Sequence, residues 1–314
     1  TTRTDGRGNI WKYDYDKNGY ITHVTPPAVT PLDNGGETFY EYDPVTLYVS
    51  KVTDANGHST KYRYDTMGNL VQKENALGHI TSYTYEAAYN QMTSMTDPNH
   101  RTTIYEIDPA NGNLLQETDP SQHFRAWTYD AHGNILTMRD KRGFLTKYEY
   151  DAFGNRTKIK DALNEITTMT YDVVGNLLSR TDANIYTTLY AYDNLDREIL
   201  RRDPPGGGVT RTFYDGEGNR IGVIDANNNP TTYAYDLRQR LSRITDALIH
   251  SIQMSYDGND NRVTMTDKNG HTTRYVYDAR NRLTHTVDAL NNVRSQTYDA
   301  VDNVLSTTNA NNYT

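Results

Sequence analysis

At 314 residues, with a net charge of -8, 35% hydrophobic residues and a mean hydropathy of -0.84, the chain exceeds one ordinary domain but is too polar for a thick core. Its 27 tyrosines against 5 phenylalanines and 2 tryptophans suit a thin, wet β-sheet, and regularly placed β-formers argue against disorder. Mild acidity disfavours nucleic acid and anionic membranes as partners, no apolar run is long enough to span a bilayer, and the lack of cysteine excludes disulfides and thiol chemistry within the chain.

In chain order, the first landmark is Tyr15-Asp16. Pro26, Pro27, Pro31, Gly35 and Gly36 then mark residues 25–37 as a loop insertion, which stretches the interval to Tyr42-Asp43 to 27 residues. Tyr64-Asp65 follows, then two degenerate copies, Tyr85-Glu86 and Ile107-Asp108. The series continues with Tyr129-Asp130, Tyr150-Asp151, Tyr171-Asp172 and Tyr192-Asp193. A second loop insertion, residues 204–208, precedes Tyr214-Asp215. Tyr235-Asp236, Tyr256-Asp257, Tyr277-Asp278 and Tyr298-Asp299 complete 14 copies, spaced by 21 or 22 residues after the first interval. Residues 1–314 therefore read as a single array, which starts and stops in mid-pattern like a fragment of a longer protein.

Each copy reads as two strands and two turns. Thr146, Tyr148 and Tyr150 alternate with Lys147 and Glu149, the period of a strand. Residues 151–155 form a turn, Arg156 to Lys160 return, and residues 161–164 turn again. Four residues after each signature position stand Gly19, Gly68, Gly133, Gly154, Gly175 and Gly218, or Asn111, Asn281, Asp196, Asp260 and Asp302. These residue types tolerate positive φ, and only Thr46, Tyr89 and Gln239 break the rule. The Asp after each Tyr is expected to accept backbone N–H groups within the turn.

The expected fold is all-β: tandem hairpins, about 28 strands, in a curled and spiralling antiparallel sheet that is part of a hollow shell. Closed into one ring at about 4.8 Å per strand, such a sheet would be roughly 40 Å across, too wide for opposite walls to touch. Tyrosine slots in neighbouring repeats are expected to stack into aromatic ladders.

The units Tyr171-Asp172-Val173-Val174-Gly175-Asn176-Leu177-Leu178-Ser179-Arg180-Thr181-Asp182 and Thr187-Thr188-Leu189-Tyr190-Ala191-Tyr192-Asp193 resemble the YD repeat of the Rhs family. That family includes bacterial Rhs polymorphic toxins, wall-associated proteins, shell components of ABC toxins, and teneurins. The resemblance covers essentially the whole chain. It implies a cocoon of hairpins that in toxin members encloses a C-terminal cytotoxic domain. No run resembling that family's self-cleaving Asp-Pro-x-Gly-Leu plug is present, so neither protease nor toxin activity carries over.

No catalytic, cofactor-binding or metal-ligating residue is assigned, and no cofactor is expected. His58, His79, His123, His250 and His271 each stand six residues before a signature position, with His100 one residue off. Copies one hairpin apart lie about 9.6 Å from each other, too far to share a zinc ion, so they read as solvated turn residues. Asp14-Tyr15-Asp16-Lys17-Asn18-Gly19 opens like a calcium loop, but Thr25 occupies its twelfth position. Asp257-Gly258-Asn259-Asp260-Asn261 lacks the rest of such a loop, and both read as ordinary turns. The expectation is a non-enzymatic, encapsulating shell segment of a secreted or delivered toxin. Its partners would be capping domains and a C-terminal cargo from the rest of the parent polypeptide. The alternative is an adhesion or carbohydrate-binding module, with exposed tyrosines, Trp11 and Trp127 stacking on sugars, and glycans or cell-surface proteins as partners. Either would be secreted or at a cell surface, of bacterial origin.

Overall fold

The computed structural model describes residues 1–29, 36–204 and 206–311. Residues 30–35 of the expected 25–37 insertion, and Pro205 of the 204–208 insertion, lie outside the described residues. Among the described residues all regular structure is strand. There are 29 strands, from Thr2–Thr4 to Val304–Thr308, assigned to one antiparallel sheet. The strand beyond the expected 28 is Thr2–Thr4, which pairs with Ile10–Tyr15 ahead of the first signature turn. The chain divides into two compact units. Unit 1 is Thr1–His79 with Thr231–Thr314, and unit 2 is Ile80–Pro230.

Within each unit the strands meander, pairing with their neighbours in sequence. The hairpin Leu145–Tyr150 with Arg156–Lys160 shows the geometry. Lys147 lies opposite Lys160, Tyr148 opposite Ile159 and Glu149 opposite Lys158. The register then slips, so that Tyr150 faces Arg156, a β-bulge beside the turn. The link to the following strand Ile166–Tyr171 is shorter: pairing runs only from Lys160↔Ile166 to Lys158↔Thr168. Toward the signature turns, neighbouring hairpins therefore lack ladder bonds.

The signature tyrosine bridges that opening. Tyr171 donates its hydroxyl to the Arg156 carbonyl of the preceding hairpin at 2.9 Å. Tyr64, Tyr129, Tyr150, Tyr192, Tyr256, Tyr277 and Tyr298 each make the same bond to the carbonyl 15 residues back. In the hairpin 145–160 the cross-strand neighbour of a tyrosine is not another tyrosine, as the expected aromatic ladder would require. Tyr148 faces Ile159, because a return strand separates tyrosines of successive repeats. Ring-on-ring contacts such as Tyr20–Tyr42 and Tyr48–Tyr64, both at 5.1 Å, arise where an extra tyrosine ends a turn.

Turn length explains the irregular spacing. In the five-residue turn 151–155, the Asp151 N–H donates the closing bond to the Asn155 carbonyl, and Gly154 takes φ +85. Three signature turns are one residue longer, closed by Asp43–Tyr48, Glu86–Gln91 and Asp108–Asn113 pairs. The positive φ moves along with the extra residue, to Leu47, Asn90 and Gly112. Thr46 and Tyr89 thus fall one position short of the left-handed slot, and Asn111 yields it to Gly112. Gln239, in a turn of normal length, takes φ +61 despite its side chain. These three turns, with the longer return turn at 203–208, account for every 22-residue interval.

The two faces differ. Tyr148, Tyr150 and Ile159 lie on a half-buried face, whereas Lys147 and Glu149 lie on an exposed one. The exposed face carries cross-strand pairs such as Lys158–Glu149 at 2.9 Å and Thr170–Ser179 at 2.6 Å. Among the described residues no large hydrophobic side chain is fully buried. Backbone pairing and repeat-to-repeat contacts take the place of a core.

Candidate functional site

The residues with the most chemistry are absorbed by the turns. Asp151 accepts the N–H groups of Phe153 and Asn155 on Oδ1, and the Asn155 side-chain amide on Oδ2, all at 2.9–3.0 Å. That amide, more than any other group, holds the Asp151 carboxyl below the usual carboxylate range. Asp65, Asp130 and Asp215 are lowered first by the same contact, from Asn69, Asn134 and Asn219. Burial pushes the Tyr64 and Tyr129 hydroxyls up.

The histidines are not brought together. His58, His123, His250 and His271 each close a return turn, donate their backbone N–H to that turn's own Asp, and remain exposed. His79 does the same toward Asn75. His100 instead takes the left-handed position of its turn, at φ +60. In the calcium-like segment, the Asp16 carboxylate accepts the N–H groups of Asn18 and Tyr20, while Asp14 pairs with His23 at 3.1 Å. Asp257 is occupied by Asn259, Asn261 and Arg7. Trp11 and Trp127 are half-buried in strands, opposite Arg3 and Met138.

One set of functional side chains escaped the sequence reading. Where the last residue of a signature turn is Arg rather than Asn, it clamps two repeats. Arg240 binds Asp236 at 2.7 Å, donates to the Asp257 carbonyl of the next turn at 2.8 Å, and lies 4.7 Å from the Tyr256 ring centre. Arg197 and Arg282 repeat the arrangement on Tyr214 and Tyr298. The signal was present as a slot five residues after the tyrosine that alternates between Asn and Arg.

The turns also line the two long edges of the ribbon, and in unit 1 these edges meet. Arg7, in the return turn 5–9, pairs with Asp257 at 3.3 Å and donates to the Asp278 carbonyl. Asn259 donates to Asp5 at 2.8 Å, and Gly6 and Gly258 approach so closely that a methyl on either would collide with the other's carbonyl. Arg280, the most buried charged residue described, donates to the Pro27 carbonyl at 3.3 Å, and Asn56 donates to Asp299 at 3.2 Å. These partners are 243 to 271 residues apart in sequence. In unit 2 a groove of about 670 Å³ lies between two neighbouring hairpins and is lined by His132, Tyr148, Tyr150 and Phe153 among others.

The bulged hairpins, Asp-capped turns and tyrosine bridges define a YD-repeat protein of the Rhs type. The teneurin YD-shell model matches residues 36–223, more than half of the chain, and RHS repeats match residues 214–248, 256–293 and 277–314. The chain belongs to this YD-shell family. It is 25% identical to mouse (Mus musculus) teneurin-4 over 124 residues, which make up 31% of this chain and 4% of that protein. The crystal structure of TcdB2-TccC3-TEV is similar with a TM-score of 0.68 and 15% identity, over 96% of this chain and 20% of that one. A Photorhabdus luminescens Tc holotoxin pore structure is similar with a TM-score of 0.58 and 16% identity, over 95% of this chain and 19% of that one. The chain thus spans a fifth or less of the length of these relatives.

Proposed function

We propose that this chain is a wall-forming segment of a larger YD-repeat shell that encloses a C-terminal cargo of a secreted or delivered bacterial toxin, and that it carries out no catalysis itself. The observation that supports this most is the hairpin array itself. Its conspicuous carboxylates and histidines are engaged by their own turns, and its fold is shared over nearly the full length with the toxin-complex structure. A wall needs strands that cohere without a core, and the tyrosine and arginine bridges between repeats supply that cohesion. The partners under this reading are the rest of the parent polypeptide, with further repeats, capping domains and cargo. The test is the intact mass of the parent protein purified without protease, together with protease protection of its C-terminal region. A large and a small species that stay associated, the small one resistant until the shell is denatured, are the expected result. A C-terminal region digested at the same rate with and without the repeat array would overturn the enclosing role.

A further inference from the structure

We propose that Asn56 is a site of spontaneous deamidation, held back while the edge contact of unit 1 is closed, and that its conversion keeps that contact open. This goes beyond the enclosing role and does not depend on it. The chemistry starts from the pair Asn56-Gly57, both exposed. A glycine has no Cβ to hinder its backbone nitrogen from reaching the side-chain carbonyl carbon of the asparagine before it. Nothing lies within 4 Å of where a Gly57 Cβ would be, so that side of the turn is open to water.

The chain holds a second copy of this turn for comparison. Return turns 54–58 and 267–271 read Asp-Ala-Asn-Gly-His and Asp-Lys-Asn-Gly-His. In both, the Asp carboxylate accepts the N–H groups of Asn and His, and the Gly N–H donates to the Asp carbonyl. Gly57 and Gly270 take φ +81 and +84. The turns differ in what the asparagine amide touches. The Asn56 amide donates to the Asp299 carboxylate at 3.2 Å across the edge contact. Among the described residues, the Asn269 amide makes no such bond.

Deamidation requires the Gly57 N–H to leave the Asp54 carbonyl and lose its proton. The nitrogen then attacks Asn56 Cγ, a five-membered ring closes through the new N–C bond, and the Cγ–Nδ2 bond breaks. Ammonia leaves and carries off the proton. Water adds to one carbonyl of the ring and breaks one C–N bond, which leaves aspartate or isoaspartate. No oxidant or reductant is needed. In turn 267–271 only the Gly N–H bond stands in the way, whereas Asn56 must also release Asp299, so its rate follows opening of the edge contact. Conversion puts a carboxylate where the donor was. It faces the Asp299 carboxylate, which the Val301 N–H and the Asn303 amide hold in place, and the like charges oppose reclosure. The contact thus carries a latch that works in one direction.

Peptide mapping by mass spectrometry of the whole 314-residue chain, aged in warm, mildly alkaline buffer, tests this. Asn269 should convert first and Asn56 roughly threefold or more slowly, with isoaspartate formed at both. Arg7→Ala removes the contacts to Asp257 and Asp278 elsewhere along the edge and leaves turn 54–58 intact. It should raise the Asn56 rate toward that of Asn269 and leave Asn269 unchanged. Amide hydrogen exchange reads the latch. Asn56→Asp should speed exchange in turns 54–58 and 299–303, and the control Asn269→Asp should not. Unchanged far-UV circular dichroism establishes that the variants fold. If Asn56→Asp melts early, the parent chain aged until position 56 has converted serves in its place. Equal rates at the two asparagines in the parent, an Asn56 rate that Arg7→Ala does not raise, or unchanged exchange in those turns after conversion would overturn the proposal.

Discussion

Individual residues carry unequal strain in a repeat that demands one left-handed position per turn. Gly154 meets that demand at no steric cost, and a Cβ there would have the wrong φ even with space around it. Ile185 and Ile249 meet it at φ +65 and +67, which a β-branched side chain tolerates poorly. Ile249→Asn should therefore raise stability by about 1 kcal/mol, and Gly154→Ala should lower it by about 1 kcal/mol, both read from thermal or urea unfolding. The tyrosine hydroxyl is a second residue-scale term. Tyr150→Phe removes the donor to the Ile135 carbonyl but keeps the ring. The expected loss is about 1 kcal/mol by urea unfolding, and an unchanged midpoint would show that water replaces the hydroxyl without cost.

Hairpins are joined by ladder bonds at one end and by side chains at the other. Arg240 touches its own turn, the next turn and the next tyrosine, so Arg240→Ala should lower the urea midpoint by more than the loss of a surface ion pair alone does. Arg240→Lys keeps the charge but cannot span three partners, and should recover less than half of that loss by the same unfolding assay. The turns also set the acid limit. Asp151 and Asp236 are held down first by side-chain donors, from Asn155 and Arg240 respectively. In Asp5, the amides of Asn9 and Asn259 and local N–H groups outweigh the opposing effect of burial, and the carboxyl lies at about 2 against an ordinary 3.8. A carboxylate lowered on folding adds stability that is fully present above its unfolded value and is lost as pH falls through its folded value. The thermal midpoint should thus drop as pH falls below about 3.8, with the Asp5 contribution disappearing toward pH 2. Asp5→Asn should blunt only the lowest part of that decline.

At the scale of the molecule, the repeat, the turn chemistry and the all-β class were legible because they recur locally: Tyr150, Asp151 and Gly154 specify one hairpin whatever surrounds it. The longer turns were harder to read. Thr46 and Tyr89 looked like exceptions to a rule, when an inserted residue had moved the rule to Leu47 and Asn90. The tyrosine bridge was not legible, since it depends on where pairing stops between hairpins, as between Lys158 and Thr168. Nor was the meeting of Arg7 with Asp257, because nothing local links residues 250 positions apart.

The hydroxyl bridges between successive repeats, such as Tyr150 to Ile135 and Tyr171 to Arg156, bear on how the protein would respond to being pulled. Each repeat is held chiefly to its neighbours, so tension on the two termini should first part the contacts of Arg7 and Asn56, then peel hairpins away one at a time. A released repeat of 21 residues lengthens the chain by about 70 Å, so optical-tweezer traces should show a staircase with that step. Tyr150→Phe should lower the force of a single step and leave the others unchanged, whereas a single large rip would mean that the array yields as one block.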